Sequence, residues 1–370
     1  MLAFFRMLLG CFVTAVAIVG VAGGVGLWVH HDVTGPGPLA EAHTVVIPPH
    51  TGISGISDLL AEEGVIRHEL TFKAVAEATG RGAALKAGEY EFPASVSAMQ
   101  VLDIIASGKT VKHRLTIREG LTSAQIVTLI HDAPYLSGDI SGTPAEGELL
   151  PETYVYSRDD TRESIVDRMR QAMREALAAA WAERRADLPL ATPQDALILA
   201  SIVEKEAKKD EEREHIASVF LNRLHLGMRL QADPTVLFAL SVKGAQKLER
   251  ALIHADLAVD SPYNTYVIKG LPPGPICNPG KAALHDAVHP EHSDDLYFVA
   301  DGSGGHVFAK TLAEQNRNVA AYLHGAALIE PEPVPANAPP LVMPTPAKQA
   351  ARSQPQQHCR ASPGHPCVVR

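Results

Sequence analysis

Between Met7 and Val29 the chain reads MLLGCFVTAVAIVGVAGGVGLWV, without one charged side chain. As a helix at 1.5 Å per residue this run is about 35 Å long, enough to cross a hydrocarbon core of about 30 Å. A cleaved export signal has a shorter apolar region that ends at a small-residue cleavage site. Here the run continues into Trp28, an aromatic suited to a membrane interface, before His30, His31 and Asp32. The reading is an uncleaved transmembrane helix over residues 7–29. Arg6 is the only basic residue before it, and no Lys or Arg follows until Arg67. The positive-inside rule then places residues 1–6 in the cytoplasm and the remainder in the periplasm, on the outer side of an inner (cytoplasmic) membrane crossed once.

A chain of 370 residues has room for two cores beyond such a helix. Its 33 basic and 42 acidic residues leave a net charge of −9, so no footprint exists for gripping a polyanion, and nucleic acid is excluded as a partner. The four cysteines, Cys11, Cys277, Cys359 and Cys367, encode neither a disulfide framework nor a thiolate metal site. Residues 330–370 hold ten of the 27 prolines and no aromatic side chain, the composition of a disordered tail.

After the Gly35-Pro36-Gly37-Pro38 linker, within residues 30–42, the chain repeats itself. Ile47, Pro48, Ile56, Asp58, Leu59, Leu60 and Ala61 align without a gap on Phe92, Pro93, Val101, Asp103, Ile104, Ile105 and Ala106. A weaker third copy carries Ile117, Ile126, Leu129 and Ile130 in the positions of Ile47, Ile56, Leu59 and Leu60. Each copy reads as a short strand, a turn offering Ser or Thr as a helix cap, and a helix of apolar period three and four. Small α+β units therefore fill residues 43–136. They resemble LysM-type glycan-binding modules, and a spacer whose repeats only build a core is the competing reading.

Beyond Gly147 a long helix is predicted over Thr161–Arg185, and a second begins at the start signal Thr192-Pro193-Gln194-Asp195. Short β runs follow at Tyr266–Ile268, Tyr297–Ala300 and His306–Ala309, the last two joined by a hairpin loop Asp301–Gly305. The second helix is read as one stretch, DALILASIVEKEAKKDEEREHIASVFLNRL, in which Leu199, Ile202 and Val203 precede Glu206 at helical spacing. A carboxylate thus continues an apolar stripe, which raises its pKa and suits a general acid. Glu204 is expected on a solvated face with Lys208 four residues on. An ordinary charged face running from Glu204 to Glu214 is the alternative for both.

The strings I-V-E-K-E, G-M-x-L-Q-x-D-P-T, Y-N-T-Y, G-L-P-P-G-x-I, H-P and Y-F-V-A-D-G-x-G-G-H, from Ile202 to His306, resemble the endolytic murein transglycosylases of the MltG/YceG-like type. The resemblance runs from the apolar helix to about Tyr322. It implies cleavage of the MurNAc-GlcNAc β-1,4 bond within nascent peptidoglycan strands, leaving a 1,6-anhydro-MurNAc end and terminating elongation, with Glu206 as the acid/base. One carboxyl group suffices if the sugar's own C6 hydroxyl takes the place of water. Gln231, Asp233, Thr235, Tyr263, Asn264, Thr265, Tyr266 and His306 fall in the family's strings, and their polar groups suit a sugar. Asp233 before Pro234 is equally a turn or helix start, and His306 equally a structural residue. Cys277-Asn278 and Ala207 depart from what the resemblance leads one to expect.

The expected fold class is α+β: a single N-terminal transmembrane helix, a LysM-like α+β module, and an α+β catalytic domain over residues 147–329. The expected partners are peptidoglycan glycan strands, the cell membrane and peptidoglycan synthases. No cofactor is expected. No metal is expected either, because His285-Asp286-Ala287-Val288-His289 lacks the glutamate that a zinc-binding helix carries after its first histidine. Two other functions fit the residues: a lysozyme-like muramidase using Glu206 with Asp233, and a non-catalytic peptidoglycan-binding scaffold.

Overall fold

The computed structural model describes residues 2–241 and 250–327. The Pro-rich stretch 330–370, with Cys359 and Cys367, lies outside them. Helix α1 spans Leu2–Thr34. Its part Leu9–Thr34 is, among the described residues, the one helix long and apolar enough to cross a membrane, by length and composition, a test that an export signal near an N-terminus also passes. The helix does not stop at Val29. Its last turns dock on the folded part: Trp28 and His68 have ring centroids 5.2 Å apart, Val33 is buried, and Asp32 accepts a 2.6 Å hydrogen bond from the Thr71 hydroxyl while its other oxygen lies 2.9 Å from His68 Nδ1.

The repeat is visible in what each copy buries. Strand β1 (His43–Ile47) pairs antiparallel with β2 (Gly88–Phe92), His43 opposite Phe92. Helices α2 (Ile53–Glu62) and α4 (Ala98–Ser107) follow these strands, and α3 (Glu69–Ala78) lies between. Ile47, Ile56 and Leu60 of the first copy and Phe92, Val101 and Ile105 of the second meet in one core. The third copy, β3 (His113–Thr116) and α5 (Ser123–Asp132), buries the aligned Ile117, Ile126 and Ile130 in a separate core. There β3 pairs with β4 (Thr153–Tyr156), and α6 (Arg162–Glu183) supplies Ile165, Val166 and Met169.

Ser97 with Gln100 and Thr122 with Gln125 form reciprocal capping boxes on α4 and α5, whereas α2 starts at Gly52 without a side-chain cap. Thr122→Ala is expected to cost about 1 kcal/mol, read as a lower denaturation midpoint.

The third core is built on α7 (Pro193–Glu206), in which Ala196 to Val203 are all buried. Around it pack α8 (Arg213–His225), α9 (Asp233–Leu240) and α10 (Lys281–Val288). The hairpin β5 (Tyr297–Ala300) and β6 (His306–Ala309) and helix α11 (Leu312–Ala327) close the element order. Asp301 caps the hairpin loop by accepting the N–H groups of Ser303 and Gly305. The structure is thus a mixed α+β fold with three two-stranded antiparallel sheets among the described residues.

Two expectations are corrected. The long helix from Asp195 is broken after Glu206, where Ala207 takes an extended conformation (φ −70°, ψ 118°). The break lets α8 fold back and bury Ile216, Ala217, Phe220 and Leu221 against α7. Residues 266–268 are not a strand: the N–H groups of Val267 and Ile268 both donate to the Asn264 carbonyl, closing a turn.

Asn278 ties this core to the preceding one. It is fully buried; its Oδ1 accepts the Leu149 N–H at 2.9 Å, and its amide donates to the Leu121 carbonyl and the Ser123 hydroxyl. The neighbouring Cys277 is buried with a free thiol, so the pair that departs from expectation is an internal joint.

Candidate active site

Because α7 stops at Glu206, this glutamate sits at a helix C-terminus, where backbone carbonyls already disfavour negative charge. It lines a cleft of about 230 Å³ together with Arg223, Gln231, Asp233, Tyr266, Phe298 and His306. Its carboxyl group makes no hydrogen bond to any described residue. Burial, reinforced by the charge of Asp233, pushes its pKa up to about 8, against a weaker pull from Lys208 and Arg223. A proton is therefore held there at neutral pH.

Asp233 opens α9 and faces the same cleft, accepting a 2.6 Å hydrogen bond from the Tyr266 hydroxyl. Burial and the contact with Asp233 raise the Tyr266 pKa, so the phenol stays a donor. Gln231 has a left-handed backbone (φ 52°), unusual for a residue with a side chain, fixed by its N–H donating to the Thr265 carbonyl. His306 is held through Nδ1, 2.8 Å from Glu212 Oε2, and its backbone N–H donates to the other oxygen of Glu212. Its ring meets Phe298 edge-on at 5.2 Å.

Glu206, Gln231, Asp233, Tyr266 and His306 are thus brought together. The structure turns the other four sequence candidates elsewhere. Thr235 and Thr265 are fully buried, their hydroxyl oxygens 2.9 Å apart. Thr235 donates to the Ala232 carbonyl and Thr265 accepts the Ala232 N–H, so they hold the start of α9 against the 264–266 turn. Asn264 is equally buried; its amide donates to the Leu257 and Val259 carbonyls and its oxygen accepts the Tyr266 N–H. Tyr263 packs on Phe238 and faces a different cavity.

Three cleft features were not anticipated. Arg223 is buried, donating to the Leu296 and Leu230 carbonyls at 2.6 Å each, with its guanidinium 5.2 Å from the Tyr297 ring centroid. Its signal in the sequence is the one that marked Glu206, a charge on an apolar stripe, here after Val219 and Phe220. Glu212, which seats His306, and Phe298 carry no such signal. Glu204 is not on a solvated face. It is half-buried and accepts the Gly280 N–H at 3.1 Å, while Lys205 donates to the Gly120 carbonyl. Burial raises its pKa, opposed by the Gly280 N–H and reinforced by Glu119.

Of the histidines weighed as ligands, His285 and His289 stack at 4.2 Å, and His289 Nε2 bonds the Glu183 carbonyl. Glu214, His285 and Asp286 converge, but Asp286 is already paired with Arg213.

The model of the YceG-like family matches residues 45–321. A Bacillus subtilis (strain 168) protein named endolytic murein transglycosylase is 32% identical over 309 residues, 75% of this chain and 84% of that protein. A Streptococcus pneumoniae protein of the same name is 31% identical over 324 residues, 76% of this chain; the matched part spans 58% of the pneumococcal protein. The crystal structure of a YceG-like protein from Listeria monocytogenes, 34% identical, covers 75% of this chain and 99% of its own, with a TM-score of 0.44. The matched stretch runs from β1 into α11 and takes in every residue of the Glu206 cleft, so the chain belongs to the YceG-like family.

Proposed function

We propose that this protein is an endolytic murein transglycosylase, a lyase that cleaves the MurNAc-GlcNAc β-1,4 bond inside a glycan strand and leaves a 1,6-anhydro-MurNAc end, ending elongation of that strand. The observation that carries the reading is Glu206: a carboxyl group protonated at neutral pH, without a hydrogen bond to any described residue, and open to a polar cleft. Glu206 donates its proton to the glycosidic oxygen as the bond to the anomeric carbon breaks. The resulting carboxylate takes the proton of the C6 hydroxyl as that oxygen closes on the anomeric carbon. One group then serves both steps and regains its proton. Burial keeps the resting carboxyl protonated, reinforced by the charge of Asp233, and Gln231, Tyr266, His306 and Arg223 border the sugar. Thr235, Asn264 and Thr265 brace this wall from behind.

The closeness of Asp233 to Glu206 also favours a second reading, hydrolysis with Asp233 as base or nucleophile. Digesting purified glycan strands and weighing the products separates the two, since transglycosylation yields isomeric products and hydrolysis adds a water. Strands left intact would leave a glycan-binding scaffold.

Turnover is expected to fall as pH rises through about 8, because the first step needs the protonated form of Glu206. In Asp233→Asn the neighbouring charge is gone and the Glu206 pKa drops, so the alkaline limb moves to lower pH while activity persists. Loss of all activity in Asp233→Asn would favour the hydrolytic reading.

Helix α1 serves as an uncleaved single-pass anchor with residues 1–6 in the cytoplasm and the cleft outside, where nascent strands and their synthases lie. The strand–helix repeat acts as a LysM-like glycan-binding module. Retention of the full chain on insoluble peptidoglycan, weakened by substitutions confined to residues 43–107, is the expected result.

A further inference from the structure

A second cavity, about 660 Å³, lies between the start of α5, the 143–147 loop, the start of α7, and α9. It is larger than the Glu206 cleft and within the range of ligand sites, about 300–1,000 Å³. Phe238 and Tyr263 form one wall, their ring centroids 4.9 Å apart at 54°. Glu146, Gln194 and Thr143 supply its polar groups.

Two chain segments serve both cavities. Helix α9 gives Asp233 to the Glu206 cleft and, five residues on, Phe238 to this cavity. Along the helix axis the two positions are about 7.5 Å apart. The 263–266 turn gives Tyr266 to the first and Tyr263 to the second. The cavities are therefore neighbours that share α9 and the 263–266 turn as bounding segments.

Glu146 is held rigidly. Both its oxygens accept the Ser123 N–H, at 3.1 and 2.9 Å, and the Asn278 amide reaches one of them at 3.4 Å. Among the described residues no cation pairs with it, and burial pushes its pKa up to about 7. A fixed carboxyl group in either protonation state hydrogen-bonds hydroxyl and amide groups, an aromatic wall packs on the C–H face of a sugar ring, and the Gln194 amide and Thr143 hydroxyl both donate and accept.

We propose that this cavity is a second saccharide subsite, binding an N-acetylated sugar of the same glycan strand at a position away from the bond cut at Glu206. The proposal rests on the transglycosylase reading for the identity of the strand. It makes the enzyme prefer strands long enough to fill both cavities, with Glu146 and Tyr263 as specificity-determining residues.

The test compares the full chain in detergent with Thr143→Trp, which plugs the cavity from an exposed loop position, and Gln194→Ala, which removes one exposed amide and guards against misfolding of the first. Glycan strands of graded length are the substrates. The ratio of kcat/KM for long over short strands is expected to fall about tenfold in Thr143→Trp, and by less in Gln194→Ala. A ratio unchanged in both variants overturns the subsite. If the unaltered chain produces no anhydro ends, the transglycosylase reading fails, and the subsite is then judged by titration with N-acetylglucosamine oligomers. Tighter binding of longer oligomers that Thr143→Trp abolishes supports it; binding equal in the two proteins overturns it.

Discussion

Glu206→Gln is expected to abolish cleavage, by more than the roughly 10²–10⁴-fold loss typical of one general acid–base step, because in the proposed mechanism the same carboxyl group serves as acid and then as base. The substitution keeps the side chain's shape, and it carries a second expectation that separates lost chemistry from lost folding. In the folded protein Glu206 holds its proton up to about pH 8, whereas in the unfolded chain a glutamate releases it near pH 4.3. Between these values the unfolded chain binds fewer protons than the folded one, so the group subtracts stability progressively as pH rises. Glutamine makes no such subtraction. Thermal melts near neutral pH should therefore place Glu206→Gln at or above the unaltered protein, with the difference vanishing below about pH 4. A variant that is inactive and melts lower at neutral pH would show that Glu206 is a structural carboxylate.

Asn278→Ala is expected to be the most damaging of the substitutions outside the cleft. It strips the Leu149 N–H of its acceptor in a fully buried setting, and it leaves the Leu121 carbonyl and Ser123 hydroxyl without the amide that joins them. An orphaned buried donor costs about 1–3 kcal/mol, and the lost volume adds to it, so a total near 3 kcal/mol is expected. In a domain of this size that lowers the melting midpoint by roughly 6–12 °C. Differential scanning calorimetry reads it directly; a shift under a degree or two would mean that the two cores do not depend on this joint.

What the sequence made legible follows from the range of the forces involved. The repeat was readable because each copy buries the same three positions, and apolar spacing is a local signal: Ile47, Ile56 and Leu60 recur as Phe92, Val101 and Ile105 and again as Ile117, Ile126 and Ile130. The caps at Ser97, Thr122 and Thr192 were readable for the same reason. Glu206 could be singled out because a charge on a buried face is a conflict visible within one turn. Glu204 was misread because its partner, the Gly280 N–H, lies 76 positions away and no local rule reaches it. The end of α7 is not legible because no Gly or Pro marks it, and the packing of α8 back on α7 that follows it is a contact no local rule reaches. In the Tyr263–Tyr266 string the two ends of one tight turn face two different cavities while Asn264 and Thr265 between them face the interior, and spacing alone cannot sort hydroxyls that touch solvent from those that hold backbone.

The contacts of Asp32 with His68 and Thr71, and of Trp28 with His68, make α1 and the first core a single stiff piece. Set in a bilayer, such a helix works as a mast and not as a tether. Its tilt becomes the tilt of the first core, and turning it about its own axis swings that core around like a boom. Cutting that brace with Asp32→Ala would let the first core wander over a cone about the end of α1, so its direction relative to the helix axis would become a distribution in place of a fixed value.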